Sequence, residues 1–291
     1  MKPEQLGDIV IERIIESEAS FFHPASFFDE ALPEAIEPHR HWLEPRALDP
    51  RTGNMIMPVQ SYLVRTPHHT ILIDTCVGCH KSNDDIPEWN DLRDDNWLRN
   101  LQGAGVDPGD IDYVFCSHLH LDHCGWNTRL TNGRWVPTFP NAKYILAKDE
   151  YYACENEDDA VFAESVLPIM EAGQAVLVDS DYALDDEVWL TPSPGHTAGH
   201  VCVNIASRGR RAMMTGDLMH SPLQLVYPEW SPNFDHDPGL SAKIRRDILD
   251  SHCETDTLLM TSHFPSPSVG RVVSHAERVF DFEYVAHGNC R

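Results

Sequence analysis

The sequence predicts a mixed α/β fold in which short buried strands alternate with helices. Short runs of aliphatic, β-branched and aromatic residues, typical of strands, recur along the chain, and amphipathic segments separate them. With 291 residues, of which 42% are hydrophobic and 23% charged, the chain can bury a large core. We find no internal repeat and no low-complexity tract, so the pattern favours a globular α/β (α+β) protein.

The predicted elements follow one another in a strand-then-helix order. A turn at 66–69 separates the first two strands, and the first helix ends near Gly105. The helix that follows the strand at 142–147 begins with acidic residues, which suit the positive end of a helix dipole. The predicted strands are 59–65, 70–74, 113–116, 142–147, 188–191, 201–205 and 212–215, and the predicted helices are 97–104, 148–154 and 240–249.

A dense group of possible metal ligands follows the strand at 113–116. Residues 117–125 read Ser-His-Leu-His-Leu-Asp-His-Cys-Gly, which places His118, His120, Asp122 and His123 within six positions. Imidazole and carboxylate groups together suit zinc and other first-row divalent ions. A loop that leaves a strand can turn all four side chains toward one point, whereas a helix would spread them around its circumference. The alternative interpretation is a polar, histidine-rich surface turn.

Three later positions repeat the same arrangement. His196, Asp217 and His263 each come just after a short apolar or β-rich segment. A His-x-His-x-Asp-His cluster followed by a lone His, a lone Asp and a lone His resembles the metallo-β-lactamase superfamily in its dinuclear hydrolase form. The resemblance covers roughly residues 58–265 and implies a four-layer αββα sandwich.

The resemblance also implies a ligand set for two divalent metal ions. His118, His120 and His196 would hold the first ion, Asp122, His123 and His263 the second, and Asp217 would bridge them. Zinc is the expected metal, although manganese, cobalt and iron accept the same ligands. Asp74, the last residue of the second predicted strand, matches an early strand-end Asp of the family. It would orient a ligand histidine. The alternative for Asp74 is a simple turn acid.

The downstream segments narrow the resemblance to one branch of the superfamily. Residues 216–220, 234–237 and 262–265 look like the branch that contains methyl parathion hydrolase and related lactonases and arylesterases. This implies a hydroxide bridging the two metals that attacks a lactone or activated ester, with phosphotriesters as a side activity. Asp122 or a metal-bound water would protonate the leaving group. His220 stands where acyl-homoserine lactonases usually carry Tyr, and it either donates a hydrogen bond to the substrate carbonyl or braces the loop.

Other functions share parts of this motif. A thioesterase similar to glyoxalase II would use the same ligands but would need a basic patch for glutathione carboxylates, which this acidic chain does not indicate. A persulfide dioxygenase would bind a single iron. A sensor or scaffold that only binds metal is the alternative outside the enzymes, and it would be expected to lack one of the ligands.

Charge and cysteine content bear on partners and location. The chain has 46 acidic and 22 basic residues and a net charge of −24, which predicts that nucleic acid is repelled. Residues 1–20 lack a basic start and a continuous apolar stretch, so we expect no export signal, no membrane partner and a cytoplasmic protein. The eight cysteines are then expected to be reduced thiols. Residues 76–80 match a c-type haem attachment motif, but they lie where the family has a turn, and we favour the turn.

The N-terminal segment and several aromatic residues define the remaining expectations. We expect residues 1–57 to form an extension packed on a hydrolase domain at 58–291, as one structural domain overall, and the extension makes a homodimer plausible. Aromatic walls would favour an apolar or aromatic small-molecule lactone or ester. The pocket candidates are Phe22, Trp126 and Phe264, with Trp42 and Trp135 as further aromatic candidates.

Overall fold

The structure, a computed structural model, describes residues 3–157 and 160–285. The strands are β1 (Glu4–Leu6), β2 (Ile9–Ser20), β3 (Ile56–Arg65), β4 (Thr70–Ile73), β5 (Tyr113–Phe115), β6 (Thr128–Thr131), β7 (Arg134–Pro137), β8 (Lys143–Ala147), β9 (Ala175–Val178), β10 (Val188–Pro192), β11 (Val201–Ser207), β12 (Arg210–Met214), β13 (Leu258–Met260), β14 (Val269–Ser274) and β15 (Phe280–Tyr284). The α-helices are α1 (Pro24–Phe27), α2 (Pro33–Ile36), α3 (Arg40–Leu43), α4 (Asn96–Gly103), α5 (Leu121–Cys124), α6 (Lys148–Glu157), α7 (Leu167–Glu171), α8 (Leu223–Val226) and α9 (Pro238–His252). A π-helical turn, Phe162–Val166, precedes α7.

Within the described residues, the strands form two mixed sheets and one separate hairpin. The first sheet has the order β1-β2-β3-β4-β5-β8-β9, the second has the order β10-β11-β12-β13-β14-β15, and β6 pairs with β7. In the first sheet β4, β5, β8 and β9 run parallel, and in the second β12 runs parallel to β13. The carboxyl ends of parallel neighbours lie at the same sheet edge. The loops that leave β4 and β5, and those that leave β12 and β13, therefore start side by side.

Three apolar layers hold the sheets and helices together. One layer lies between the two sheets and joins residues such as Tyr62 and Phe115 of the first sheet to Val203 and Met260 of the second. A second layer covers the outer face of the first sheet with α4, α6 and α7, and a third covers the outer face of the second sheet with α9. This arrangement is the predicted αββα sandwich, and it confirms the expected fold.

The central strands are apolar on both faces because both faces are covered. In β3, Val59 and Leu63 belong to the outer layer, whereas Tyr62 and Val64 belong to the layer between the sheets. Successive strand residues point to opposite faces, so a doubly covered strand needs an almost continuous apolar run. The runs at 59–65 and 113–116 could therefore be predicted as strands although apolar and polar residues do not alternate strictly in them.

Each predicted strand and helix overlaps an observed element, with ends shifted by a few residues. The helix expected at 240–249 is part of the longer α9, which begins after Asp237, whose side chain accepts the backbone N–H of Leu240 at 3.0 Å. Eight strands were not predicted from the sequence: β1, β2, β6, β7, β9, β13, β14 and β15. Strand β2 pairs with β3 from Val10 to Ser20 and carries a bulge between Ile15 and Ser17. Residues 9–20 therefore belong to the first sheet, and the division of the chain at residue 57 remains a prediction.

Residues 21–57 pack against one end of the sandwich. Phe27, Phe28 and Leu43 form an apolar cluster with Leu223 and Trp230 of the second half of the chain. Among the described residues, no helix combines the length and the apolar character that a membrane span requires. The described cysteines are free of disulfide bonds in the structure, and their reduced state stays a prediction.

Replacing Trp97 should destabilise the fold more than any surface change on the same helix. The Trp97 side chain is fully buried and stacks on Trp126, with ring centroids 5.7 Å apart. Trp97→Ala should lower the free energy of unfolding by about 3–5 kcal/mol, because it removes a large apolar surface and leaves a cavity. The exposed residue Arg99 provides the control, since Arg99→Ala should change stability by under about 1 kcal/mol. Urea unfolding of the full chain measures both, and equal effects would contradict the packing described above.

Candidate metal centre

Loops that leave strands of both sheets bring seven ligand-type side chains together. They follow β5, β10, β12 and β13 in the chain. One group comprises His118, His120, His196 and Asp217, and a second comprises Asp122, His123 and His263; within each group the donor atoms lie within 4.8 Å of one another. These are the seven residues of the predicted ligand set, in the predicted two groups. A third overlapping group contains Asp217, His220 and His263.

The donor atoms fit a site for two divalent ions. The Nε2 atoms of His118 and His123 and the Oδ1 atom of Asp217 are buried without a hydrogen bond. His123 Nε2 lies 3.1 Å from Asp217 Oδ1, and His118 Nε2 lies 3.7 Å from Asp217 Oδ2, yet neither pair forms a hydrogen bond. Buried polar atoms are rarely left without partners in native proteins. Their lone pairs converge on shared space, which is what metal ligation requires.

The electrostatics of the cluster show how strongly its groups interact. Burial alone would raise the pKa of Asp217, but the imidazoles of His123 and His263 outweigh it and hold that pKa well below its usual range. Burial would lower the pKa of His123, but the carboxylates of Asp217 and Asp122 raise it well above its usual value. Burial keeps the pKa of His118 far below its usual value, so that this imidazole is neutral and able to bind a cation.

A carboxylate behind the site holds one ligand histidine in place. Asp74 is fully buried, and its Oδ2 lies 2.8 Å from His123 Nδ1. The same carboxylate accepts hydrogen bonds from the backbone N–H and the hydroxyl of Ser117, at 2.7 and 2.9 Å. Asp74 has a φ of 59°, a conformation that Asp adopts more readily than most residues. The structure thus places Asp74 where the sequence analysis predicted a carboxylate that orients a ligand histidine.

Two more ligand histidines are held through Nδ1 by groups that the sequence analysis did not assign. Asp235 Oδ1 lies 2.7 Å from His196 Nδ1, and the carbonyl oxygen of Pro58 lies 3.0 Å from His263 Nδ1. A partner at Nδ1 fixes the ring orientation and leaves Nε2 for the metal. Asp235 lies in a segment that the resemblance had singled out, but its position beside His196 depends on tertiary packing.

Glu150 and His200 also support the site and were missed. Glu150 accepts hydrogen bonds from the backbone N–H of Leu119 at 2.8 Å and from the hydroxyl of Thr197 at 2.7 Å, so it ties two ligand loops together. His200 Nε2 accepts the backbone N–H of Asp217 at 2.9 Å. Burial lowers the pKa of His200 to about 3, so its ring stays neutral and can accept this bond. Glu150 appeared in the sequence only as an acid in the first turn of a helix.

Steric crowding explains why glycine occupies the position before Asp217. Gly216 has a φ of +52°, and a Cβ atom at this position would lie 2.5 Å from His200 Nε2. A side chain there would push away the imidazole that accepts the Asp217 N–H. The Gly-Asp pair is therefore explained by the close approach of His200 as well as by the backbone turn.

A pocket of about 630 Å³ opens onto the cluster. Its floor contains His120, Asp122, Asp217 and His263, together with His220. Its walls are mostly aromatic and aliphatic and include Phe21, Phe22, Phe27, Met57, Val59, Ile86, Trp89, Leu119, Leu121, Val161 and Phe234. Phe22 is thus a pocket residue, as predicted.

The other aromatic residues predicted as pocket walls are not found there. Trp126 is buried beneath the ligand loop, where it stacks on Trp97 and donates its indole N–H to Glu16 Oε1 at 2.7 Å. Burial raises the pKa of Glu16 to about 7. Phe264 is fully buried in the layer outside the second sheet and packs against Phe282. Both predictions were wrong because closeness to a ligand in sequence does not fix the direction of a side chain, and these two side chains point into apolar layers.

Trp42 and Trp135 lie elsewhere as well. The guanidinium of Arg278 stacks over the Trp42 ring, and Trp42 lines a separate cavity. Trp135 packs under the amine of Lys81, whose Nζ is 3.6 Å from the ring centroid. The aromatic character of the pocket therefore comes from the N-terminal segment, the 82–89 loop and Phe234.

Proteins of known function show similarity to part of the chain. An N-acyl homoserine lactonase of Bacillus sp. is 28% identical over 156 residues, which are 50% of this chain and 56% of the relative. The N-acyl homoserine lactonase AttM of Azorhizobium caulinodans is 32% identical over 163 residues, which are 50% of this chain and 58% of the relative. The chain thus aligns with little more than half the length of these relatives.

Solved structures match almost the whole chain in shape. The hydrolase AbOPH in the beta lactamase superfamily has a TM-score of 0.80 and 19% identity and covers 99% of this chain and 98% of its own. AidC, a dizinc quorum-quenching lactonase in complex with a product, has a TM-score of 0.78 and 23% identity and covers 99% and 98%. At these identities the two structures show that the fold is shared.

The family assignment follows from a comparison that spans most of the chain. The model of the metallo-beta-lactamase superfamily matches residues 56–263, more than two-thirds of the sequence and all seven candidate ligands. The sandwich, the strand-end loops and the paired ligand groups agree with this match. The chain therefore belongs to the metallo-beta-lactamase superfamily.

Proposed function

We propose that the protein is a dinuclear metal-dependent hydrolase of lactones or activated carboxylic esters. The observation that carries this proposal is the convergence of seven buried ligand groups at the floor of an apolar pocket. The lactonase relatives support the lactone substrate, and the dizinc site named for AidC supports zinc as the metal. Hydrolysis of phosphotriesters is proposed as a side activity of the same site.

The chain's own groups have separable tasks in this reaction. Divalent ions held by the seven ligands would supply a hydroxide nucleophile near neutral pH and would polarise the substrate carbonyl. Asp122 lines the pocket, and its Oδ2 lies 3.4 Å from both His123 Nε2 and His263 Nε2. Burial opposes ionisation of Asp122, yet these two histidines lower its pKa, so the carboxylate is ionised. We assign it the acceptance of the proton that water would lose in forming this hydroxide, and the transfer of that proton to the leaving alkoxide.

The geometry around His220 favours a bracing role for this residue. Its Nε2 lies 3.0 Å from Asp217 Oδ2, and its Nδ1 is buried without a hydrogen bond. Burial lowers the pKa of His220 to about 4, so at neutral pH the ring carries a single N–H. If that N–H faces the Asp217 carboxylate, Nδ1 is an acceptor and cannot donate to a substrate carbonyl. We therefore propose that His220 positions Asp217.

The pocket and the cysteines support the remaining parts of the proposal. Aromatic and aliphatic walls suit a small apolar or aromatic lactone or ester. Free cysteines among the described residues agree with a reducing compartment, and we propose a cytoplasmic location on that basis. We also propose a homodimer through the N-terminal segment, where Leu32 is 53% exposed.

Metal removal should abolish hydrolysis, and metal return should restore it. Purified protein should hold about two divalent ions per chain, and chelation should stop turnover of a lactone and aryl ester panel. His120→Ala and Asp217→Ala should each lower kcat/KM by more than the roughly 10–100-fold typical of changes outside the ligand shell. Metal analysis and initial rates measure these effects, and the exposed His68 provides the control variant His68→Ala. One iron per chain without hydrolysis would instead support a dioxygenase.

Loss of the Asp74 carboxylate should weaken one metal site more than the other. Asp74→Asn keeps the side-chain shape but removes the negative charge behind His123, so metal affinity should fall about 10–100-fold. After dialysis against a weak chelator, we expect metal content to fall from near two ions per chain toward one. Asp235→Asn is the matched variant behind His196. Retention of both ions by Asp74→Asn would contradict the orienting role.

The bracing role of His220 can be separated from direct contact with substrate. His220→Ala should lower metal affinity, because Asp217 loses the donor that holds it, and His220→Gln should restore part of that affinity through its amide N–H. Competition with a chelator of known affinity measures the first effect, and kcat at saturating metal measures the remainder. Unchanged metal affinity with a large fall in kcat would show that His220 acts on the substrate instead.

A further inference from the structure

The pocket has an uneven distribution of charge between its floor and its rim. None of the described residues that line it is Lys or Arg. Its rim includes Asp84 and Asp85, both exposed, next to Ser82 and Asn83. Between rim and floor the walls are apolar. A substrate that places its ester at the floor and its far end at this part of the rim would pass an apolar wall and approach two carboxylates.

The acidic rim is held in place by specific contacts. Lys81 is fully buried and donates to Thr128 Oγ1 at 2.6 Å and to the carbonyl oxygen of Glu164 at 2.8 Å. The next residue, Ser82, donates its backbone N–H and its hydroxyl to the Glu164 carboxylate, at 2.9 and 2.8 Å. These bonds fix the start of the rim segment to the body of the protein.

The turn that presents the two carboxylates is closed by one side chain. Asn83 Oδ1 accepts the backbone N–H of Asp85 at 3.1 Å and that of Ile86 at 2.8 Å. Asn83 also donates its backbone N–H to the side-chain oxygen of Asn90 at 3.0 Å. Such Asx turns set the direction of the following residues. The carboxylates of Asp84 and Asp85 thus belong to a segment with a defined shape at the pocket mouth.

We propose that Asp84 and Asp85 are specificity determinants that admit substrates with a neutral or cationic far end and reject those with an anionic far end. The inference rests on the proposed hydrolase function and deepens it. Charges beside a low-dielectric pocket act over several ångströms, and the net charge of −24 adds to the repulsion of anions. His220, which is buried and has Nδ1 without a hydrogen bond, lines the same pocket beside Asp217, where the ester would react.

The proposed selectivity indicates which class of ester or thioester the protein can hydrolyse. A thioester of glutathione carries carboxylates away from its reacting carbonyl, and the described residues of the pocket lining include no Lys or Arg side chain to bind them. A neutral acyl lactone or a neutral aryl ester meets no such repulsion. The charge of the rim therefore favours the lactone and ester substrates of the proposed function over anionic thioesters.

Three aryl esters of equal chain length test the proposal on the metal-loaded full chain. The 4-nitrophenyl esters of hexanoic acid, 6-aminohexanoic acid and adipic acid present a neutral, a cationic and an anionic far end. At low ionic strength we expect kcat/KM for the anionic ester to be lower than for the other two by about tenfold or more, mainly through KM. The double variant Asp84→Asn, Asp85→Asn should reduce this ratio about fivefold, and about 1 M salt should also reduce it.

A matched double variant separates local from overall charge. Asp181→Asn, Asp186→Asn removes two charges from exposed residues outside the pocket lining and should leave the ratio unchanged. Equal turnover of the three esters, or a ratio unaffected by the Asp84 and Asp85 changes, would overturn the inference while hydrolysis of the neutral ester upholds the proposed function. Failure to cleave any of the three esters or a lactone would overturn the proposed function, and the inference with it.

Discussion

Burial of the Asp217 carboxylate is the constraint on which the rest of the site depends. Asp217 is almost fully buried, and the Nε2 atoms of His123, His263 and His220 lie 3.0–3.1 Å from its oxygens. A buried charge is costly unless other charges or hydrogen bonds compensate it. For Asp217 this compensation must come from imidazoles and from bound cations. The backbone must therefore be placed accurately enough for imidazoles and cations to reach the two carboxylate oxygens of Asp217.

The sandwich supplies that accuracy by bringing together strand ends from two sheets. Parallel pairing of β12 with β13 places the Asp217 and His263 loops side by side, and β4 with β5 does the same for Asp74 and the His118–His123 segment. A buried cation then fixes the neighbouring loops: the Arg245 guanidinium donates to the carbonyl oxygens of Leu218, Pro228 and Trp230 at 2.6–2.7 Å. The loops of the site are therefore anchored to paired strand ends and to the buried Arg245 side chain.

Prediction from the sequence was most successful where the chemistry of the residues and their local pattern indicate the same feature. The ligands could be predicted because His and Asp at a strand end have few structural uses, and the covered strands because they are apolar throughout. Strand β2 was missed because Glu12, Glu16 and Glu18 interrupt its apolar residues. Glu150 and His200 were missed because a single polar residue shows its role only through distant partners. Trp126 and Phe264 were misplaced because chain adjacency to a ligand does not fix the direction of a side chain.

The contact between Glu16 and the ligand loop determines how much of the amino-terminal region a shortened chain must keep for an intact site. Glu16, in β2, accepts the backbone N–H groups of Val77 and Gly78, at 2.9 and 3.1 Å, and the indole N–H of Trp126, so it joins the amino-terminal strand to the turns beneath His123. The region matched by the superfamily model begins only at residue 56. A shortened chain cut at that boundary would leave three donors without their acceptor directly under the proposed metal ligands. A shortened or circularly permuted chain should therefore keep β1 and β2 together with the rest of the hydrolase domain.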